Sequence, residues 1–494
     1  MNNIVRLTAS DGSEIEFIND GEPAASGSLK DVYFSPDKSY VVAFYRKPLD
    51  NQGLDRIKKI TTTYREKIFT PEQRDFWSQL FCWPTKIVTW NNKTGLVCPC
   101  YDMKYFFSEG TFKGKEKEGK WFASAKLVNR YLTPKQKGNF VLRLKMCIQI
   151  ARAIRKLHAC GLAHSDLSYK NVLVDPESGS ATVIDIDGLV VPGKYPPDVE
   201  GTQDFIAPEV LETNQLGAKD PNKNLPRRET DLHALAVLIY MYLLNRHPLR
   251  GGKFHSPDTE EDELLMMGKE ALFIENPKDN SNRPKIQDLD KDMLPQGDID
   301  KRPYTICGPY LKKLFEKAFI SGLHNPKLRP SAYEWEKALI KTSDLIFKCK
   351  NSKCEEGYFV FDSNRTPECP YCKTKHSQHL PIMNLYVQNR PGSFTNEHHR
   401  IVVYNGLGIY PWQVDSLIEP NENLKEKDKY PVADCQIVKG KWLLINRKLQ
   451  NLVEILPNKQ RVSIPVGKAI ELKEGTKILF DSSDSSKLAF IQIL

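Results

Sequence analysis

The feature that most constrains this chain is a short run holding His164, Asp166 and Asn171 in the spacing His-x-Asp-x-x-x-x-Asn, with the apolar Val172, Leu173 and Val174 directly after it. One tight loop with that spacing presents a carboxylate and a side-chain amide to the same cleft. Asp166 can orient a hydroxyl and accept its proton, and the amide oxygen of Asn171 can hold a divalent cation. Taken alone the triplet is also what a surface turn would carry.

Further pieces follow in a fixed order and remove the surface-turn reading. Val183-Ile184-Asp185-Ile186-Asp187-Gly188 reads as a buried strand running into an acidic pair, and Asp185 falls fourteen residues past Asn171. Gly201 to Glu209 reads GTQDFIAPE, Asp231 to Ile239 opens an apolar helix, and Asn325 to Ser331 reads NPKLRPS. In this order the set resembles the catalytic loop, metal-binding loop, activation-segment end and closing motif of protein kinases. The resemblance implies an α+β, bilobal protein-kinase-like fold over roughly residues 1–345. An N-lobe with an added N-terminal hairpin would occupy 1–100, and a C-lobe with an insertion at about 251–303 would occupy 101–345. It also implies roles: Asp166 as catalytic carboxylate, Asn171 and Asp185 as ligands of Mg²⁺ or Mn²⁺ with Asp187 as the substitute for Asp185, Thr202 in contact with Asp166, and Arg329 paired with Glu209. Lys170 joins the catalytic set, because Ser168 stands where Ser/Thr kinases carry their lysine. Ser165 replaces the arginine that receives an activation-loop phosphate, and Tyr195 is the one hydroxyl between Gly188 and Thr202, so no phosphate switch is expected.

The nucleotide side lies upstream. Residues 1–20 alternate apolar and polar around Asp11-Gly12, which predicts a β-hairpin. Ala25 to Tyr33 lies on the kinase glycine loop with only Gly27 retained; Ala25 and Lys30 replace the other two glycines. Gly27, Ser28, Lys30 and Val32 are therefore expected at the nucleotide. The strand Tyr40 to Arg46 brings Ala43 to the same place but puts Tyr45 where the family has its phosphate-binding lysine. Lys30 is the first choice to replace that cation and Arg46 the second, since strand alternation turns Arg46 to the opposite face. Apolar residues at helical spacing predict a helix from Leu54 to Phe69, with Glu66 as its inward-facing acid and Glu72 as the alternative. A hinge is expected near Cys98 to Tyr101, and the helix from Asn139 to Cys160, capped by Gly161, delivers the catalytic loop.

After Leu345 the pattern changes. Cys349-x4-Cys354-x14-Cys369-x2-Cys372 has the spacing of a zinc ribbon, and four thiolates suit a closed, structural tetrahedral site over 346–379. His376 and His379 read as surface residues beyond it. Residues 380–494 hold short β-type runs separated by Gly, Asn, Asp and Pro, which predicts an all-β domain, a sandwich open to two readings: a forkhead-associated-like phosphothreonine reader or a purely structural module. The remaining cysteines are scattered and no basic start with an apolar core opens the chain, so reduced thiols and a cytoplasmic location are expected. The longest apolar run, Ala234 to Leu244, is too short for a membrane span. Nine Lys or Arg lie between Lys104 and Lys137, within a net charge of +9. Without interleaved aromatics this reads as a solvated insertion, and nucleic acid is not the expected partner.

The whole arrangement resembles bacterial Ser/Thr kinases that accompany von Willebrand A proteins and PP2C-type phosphatases in tellurite-resistance-type stress systems. That resemblance implies MgATP-dependent phosphorylation of Ser/Thr hydroxyls on a protein partner, with ATP, Mg²⁺ or Mn²⁺ and Zn²⁺ as cofactors. Two other readings stand beside it. The missing glycines and strand lysine suit a pseudokinase scaffold that binds partners through the ribbon and β domain. The Asp185-Ile186-Asp187 pair also resembles small-molecule phosphotransferases of the aminoglycoside type.

Overall fold

Strand β1 (Ile4–Thr8) pairs antiparallel with β2 (Glu14–Ile18) around the Asp11-Gly12 turn, where Gly12 takes φ +82°. The computed structural model describes residues 3–494 except 28, 192, 198–200, 218–219, 364–365, 377–378 and 391. The described residues divide into two compact units, one of residues 1–304 and 311–339 and one of residues 305–310 and 340–494.

In the first unit, β3 (Ala25–Ser26), β4 (Lys30–Phe34), β5 (Tyr40–Tyr45), β6 (Lys86–Trp90) and β7 (Lys93–Pro99) form a sheet in the order β3-β4-β5-β7-β6. The β1–β2 hairpin is a separate pair laid on one face of that sheet. Phe17, fully buried, meets Tyr33, Phe44 and Trp90 at ring distances of 5.1–5.4 Å. Burial of one such ring stabilises by about 1.5–3 kcal/mol. Strand alternation sends Val42 and Phe44 into this hairpin core and turns Val41 and Ala43 toward the opposite face, which lines a cavity. Gly95 is required here, because a Cβ would lie 2.6 Å from the Phe44 ring.

Helix α1 (Asn51–Lys59) starts on Asp50, whose side chain accepts from Gly53 N at 2.7 Å. It continues through a wider turn at Ile60–Tyr64 and a last turn at Arg65–Ile68. Trp83 donates its indole N–H to the Ile60 carbonyl at 2.9 Å where the wide turn begins. The predicted apolar stripe holds in part: Ile57, Ile60 and Ile68 are buried, Tyr64 is half-buried and Leu54 is exposed. Glu66 and Glu72 both face solvent, so neither is an inward-facing acid. The stripe of isoleucines fixes the helix's rotation, and that rotation turns Glu66 outward.

Helix α2 (Phe140–Ala159) is capped by Asn139, which accepts from Leu142 N at 3.1 Å, and stops at Gly161, φ +81°. Strands β8 (Val172–Asp175) and β9 (Ser180–Val183) follow the catalytic loop as a hairpin. Helix α3 (Arg228–Leu244) is buried along nearly its whole length, as its apolar sequence requires. The expected insertion at 251–303 is tied to the lobe by a buried pair, Arg246 to Glu275 at 2.6 Å. The basic stretch after Lys104 is more than a solvated loop. It folds back on itself between Tyr105 and Lys117, with Phe107 N donating to Lys115 O and Lys117 N to Tyr105 O. Phe107 is buried and Glu116 half-buried.

In the second unit, β10 (Ile346–Lys348) and β11 (Tyr358–Val360) form the ribbon hairpin. Beyond it stand two antiparallel sheets. One contains Pro381–Arg390, Ser393–Val402, Val453–Ile455, Arg461–Ser463, Lys477–Leu479 and Lys487–Ile493; the other contains Leu407–Ile409, Ala433–Val438, Lys441–Asn446 and Ala469–Glu471. Met383, Ile401, Leu444, Ile470 and Ile491 belong to one core filled from both sheets. A second core joins ribbon and sheet, since Phe347, Cys354, Phe359 and Cys369 cluster with Ile382 and Val402. His376 is not a surface residue. It is buried between the rings of Phe347 and Phe359, at 5.0 and 5.8 Å. His379 offers its carbonyl to the Trp442 indole.

Candidate active site

The catalytic loop is held from below by a residue whose role sequence reading missed. The Asp231 carboxylate, 1% exposed, accepts from His164 N at 2.7 Å and Ser165 N at 3.0 Å, and lies 3.0 Å from His158 Nε2. Ser165 sits at φ +67°, a region that non-glycine residues rarely occupy, and the Asp231 bond holds it there. His164 Nε2 donates to the Ile184 carbonyl at 3.0 Å, which ties this loop to the acidic pair. An Asp opening a helix gives no sequence sign that it caps another loop 66 residues away.

Asp166 is oriented at both oxygens. Thr202 Oγ1 donates to Oδ1 at 2.9 Å, and Asn171 Nδ2 donates to Oδ2 at 2.9 Å and to the Asp166 carbonyl at 2.8 Å. The Asn171 amide nitrogen is thereby committed, which leaves its oxygen for another partner. Thr202 also reaches Ser168 Oγ at 3.2 Å. Lys170 is not brought into this cluster: its side chain is exposed, and its backbone N–H donates to Ser168 Oγ. Arg329 and Glu209 form a bidentate pair at 2.8 and 2.7 Å with the guanidinium buried, as the resemblance implied. Tyr195 donates to Asp55 on α1, Gln52 donates to the Lys194 carbonyl at 2.7 Å, and Arg56 to the Pro196 carbonyl at 3.2 Å. These contacts tie the stretch between Gly188 and Thr202 to α1.

Above the loop lies a cavity of about 920 Å³, lined by Lys30, Val32, Ala43, Asp185 and Asp187 together with Cys98 and Tyr101. Its size suits a nucleotide-sized ligand. The folded-back stretch after Tyr105 adds Phe106, Phe107, Lys113 and Glu116 to the wall, residues that sequence reading did not place here. Burial, with help from Glu118, pushes the Glu116 carboxyl above its ordinary value. Lys30 directs its ammonium into the cavity, 2.7 and 2.8 Å from the two Asp187 oxygens and 3.2 Å from Asp185 Oδ1. Burial works against that charge, but Asp187 and Asp185 outweigh it and hold the Lys30 pKa above the usual lysine value. Tyr45 also donates to Asp187, and burial beside that carboxylate pushes its phenol up.

Arg46 is a correction. It is directed away from the cavity and pairs with Asp31 at 2.9 Å, because strand alternation is not interrupted by a bulge. Gly27 donates to the Lys30 carbonyl at 2.9 Å to close the β3–β4 turn; Ser28 lies outside the described residues. Asp185 adopts a left-handed backbone, φ 58° and ψ 47°, at the head of the turn Ile186–Gly188.

The four ribbon thiols form a second centre. Cys349 and Cys372 sulfurs lie 3.5 Å apart, Cys354 and Cys369 sulfurs 3.8 Å apart, and all four fall within 4.8 Å of one another. A tetrahedral Zn²⁺ with sulfur at about 2.3 Å requires sulfurs about 3.8 Å apart, so the cluster is compatible with zinc.

A family model described as protein kinase domain matches residues 123–319. The chain is 30% identical over 153 residues to the serine/threonine-protein kinase PSK1 of Saccharomyces cerevisiae, covering 29% of this chain and 10% of that protein. It is 29% identical over 157 residues to the human ribosomal protein S6 kinase alpha-3, covering 29% of this chain and 19% of the relative. Over 158 residues it is 27% identical to the human MAP kinase-activated protein kinase 5, covering 25% and 32% respectively. The chain thus spans between about a tenth and a third of the length of these curated relatives. A solved rhoptry antigen kinase domain of Toxoplasma gondii aligns with 69% of this chain and 86% of its own at 13% identity and a TM-score of 0.40. No helix among the described residues is long and apolar enough to cross a membrane.

Proposed function

We propose, from the premise that this chain carries a protein kinase domain, that it transfers the γ-phosphate of ATP to Ser/Thr hydroxyls of a protein partner. One observation carries the reading: Asp166, oriented at both oxygens by Thr202 and Asn171, stands on a loop that His164 bonds to the strand leading into Asp185. Asp166 takes the role of the carboxylate that aligns the attacking hydroxyl and accepts its proton. Its two hydrogen bonds keep the carboxylate from rotating away from that hydroxyl, which preserves the reacting geometry. The Asn171 oxygen and Asp185 are the oxygen donors that suit Mg²⁺ or Mn²⁺. The metal, when bound, neutralises phosphate charge. Lys30 supplies the fixed cation at the phosphates in place of a strand lysine. Thr202 beside Asp166 favours Ser/Thr hydroxyls, and the Arg329–Glu209 pair, which closes the activation segment, favours a protein substrate over a small molecule. The absence of a phosphate-receiving arginine at Ser165 fits a non-RD kinase.

The cysteine cluster is assigned to structural zinc on its spacing and its clustered sulfurs; the assignment of the kinase to a cytoplasmic system with a PP2C-type phosphatase and a von Willebrand A protein rests on the sequence resemblance. The test is transfer from radiolabelled ATP by the purified chain to the phosphatase partner or a generic protein, beside Asp166→Asn. Label in both proteins, or in neither, sinks the proposal and favours the scaffold.

A further inference from the structure

A fixed cation at a phosphate site needs an anchor, and the acid expected from the helix faces solvent. Lys30 is anchored nonetheless. Its ammonium contacts both oxygens of Asp187, and the same carboxylate accepts the Tyr45 hydroxyl. Lys30 and Tyr45 are cross-strand partners on β4 and β5, so one acid from the C-lobe clamps two adjacent strands of the sheet. Asp187 and Asp185 share one turn but differ in exposure. The Asp187 side chain is 12% exposed and engaged at both oxygens, while that of Asp185 is 47% exposed. Within this cluster one ammonium and two carboxylates leave a net charge of −1, a balance that admits a divalent cation beside the lysine.

We propose that Asp187 is the positioning residue for Lys30, doing from the metal-binding loop what a helix glutamate would do from α1, and that Asp185 alone of the pair is left to the metal. Of the three ammonium protons, the two sides facing Asp187 are committed. The third, directed at Asp185, is the one that an anionic oxygen can claim. This division rests on reading the cavity as a nucleotide site. It also explains why tyrosine is suited to position 45: its neutral hydroxyl adds a second donor to Asp187 without placing a second cation on that carboxylate.

Two cycles of variants test the assignment on the full-length chain. In the ligand-free protein, Lys30→Met and Asp187→Asn should each lower the denaturant midpoint, and the double variant should be less destabilised than the sum, because each single change strands a buried partner. In Mg²⁺-free buffer, ADP binding followed by calorimetry should weaken about tenfold in each single variant and no further in the double. Tyr45→Lys in the Lys30→Met background should restore part of that affinity, and Asp187→Asn should abolish the rescue. Additive losses in both cycles, or an Asp187→Asn protein altered only in its Mg²⁺ requirement, would overturn the proposal. A wild-type protein that binds no ADP overturns the nucleotide reading itself, and the unfolding cycle then reports separately whether Asp187 holds Lys30.

Discussion

Lys30 stands directly across from Tyr45 on the neighbouring strand, and the two side chains converge on one carboxylate. The ammonium held by that carboxylate therefore comes from the position where a glycine loop ordinarily has its third glycine. The strand position that ordinarily carries it holds a neutral partner.

Replacing Lys30 by Met should reduce kcat/KM for ATP by about a hundredfold or more, since a preorganised charge at a transferring phosphoryl group is worth that much. Arg46→Met, which removes only a surface pair with Asp31, should stay within about twofold of wild type. Steady-state kinetics of the two variants side by side decide it; the reverse order of effects would mean that the loop lysine is not the phosphate cation.

Asp231→Ala should cost about 2–5 kcal/mol of stability, because it leaves the buried N–H of His164 and the half-buried N–H of Ser165 without an acceptor. Asp231→Asn keeps one acceptor oxygen and should lose less. Urea unfolding followed by circular dichroism measures both. Equal stability of Asp231→Ala and wild type would show that the loop is held by other contacts.

Purified protein should contain one zinc per chain by elemental analysis, and Cys369→Ser should lose it. The ribbon shares a core with Ile382 and Val402, so metal loss should also loosen the first strands of the β domain. Hydrogen exchange over 381–402 reads this. Unchanged protection in a metal-free Cys369→Ser protein would mean that the shared apolar core suffices.

His399 makes the second unit sensitive to pH. Burial opposes its charge, but the Asp344 hydrogen bond at 2.6 Å and the nearby Glu397 outweigh burial and raise its pKa, against the cations of Lys341 and Lys487 that flank Glu397. A histidine whose folded pKa lies above its unfolded value contributes stability that is fully present below the unfolded pKa, about 6.5, and lost as pH rises through the folded one. The thermal midpoint of this unit should therefore fall between neutral and mildly alkaline pH, and His399→Gln should flatten that slope. A slope unchanged in the variant assigns it to another group.

The sequence alone determined what depends on short spacing. Asp166, Asn171 and Asp185 lie on neighbouring turns of chain, Thr202 and Glu209 belong to one motif, and the four cysteines sit on two hairpin knuckles. Asp166 and Asn171 meet, and so do the four thiols, because local backbone geometry leaves few alternatives. Helix α1 was legible from its apolar stripe, but the direction of Glu66 was not: a wide turn at Ile60–Tyr64 and the packing of three isoleucines decided it. The contacts that complete the site join residues far apart in the chain. Lys30 and Asp187 are 157 positions apart, and Asp231 and His164 are 67 apart. A lysine in a loop and an aspartate opening a helix have the same local signal whether they face water or a partner. Only the stacking of the sheet over the Asp185–Asp187 turn, and of α3 under the Asp166 loop, brought each charge to its counterpart, because an unpaired buried charge would have cost more than the fold gains.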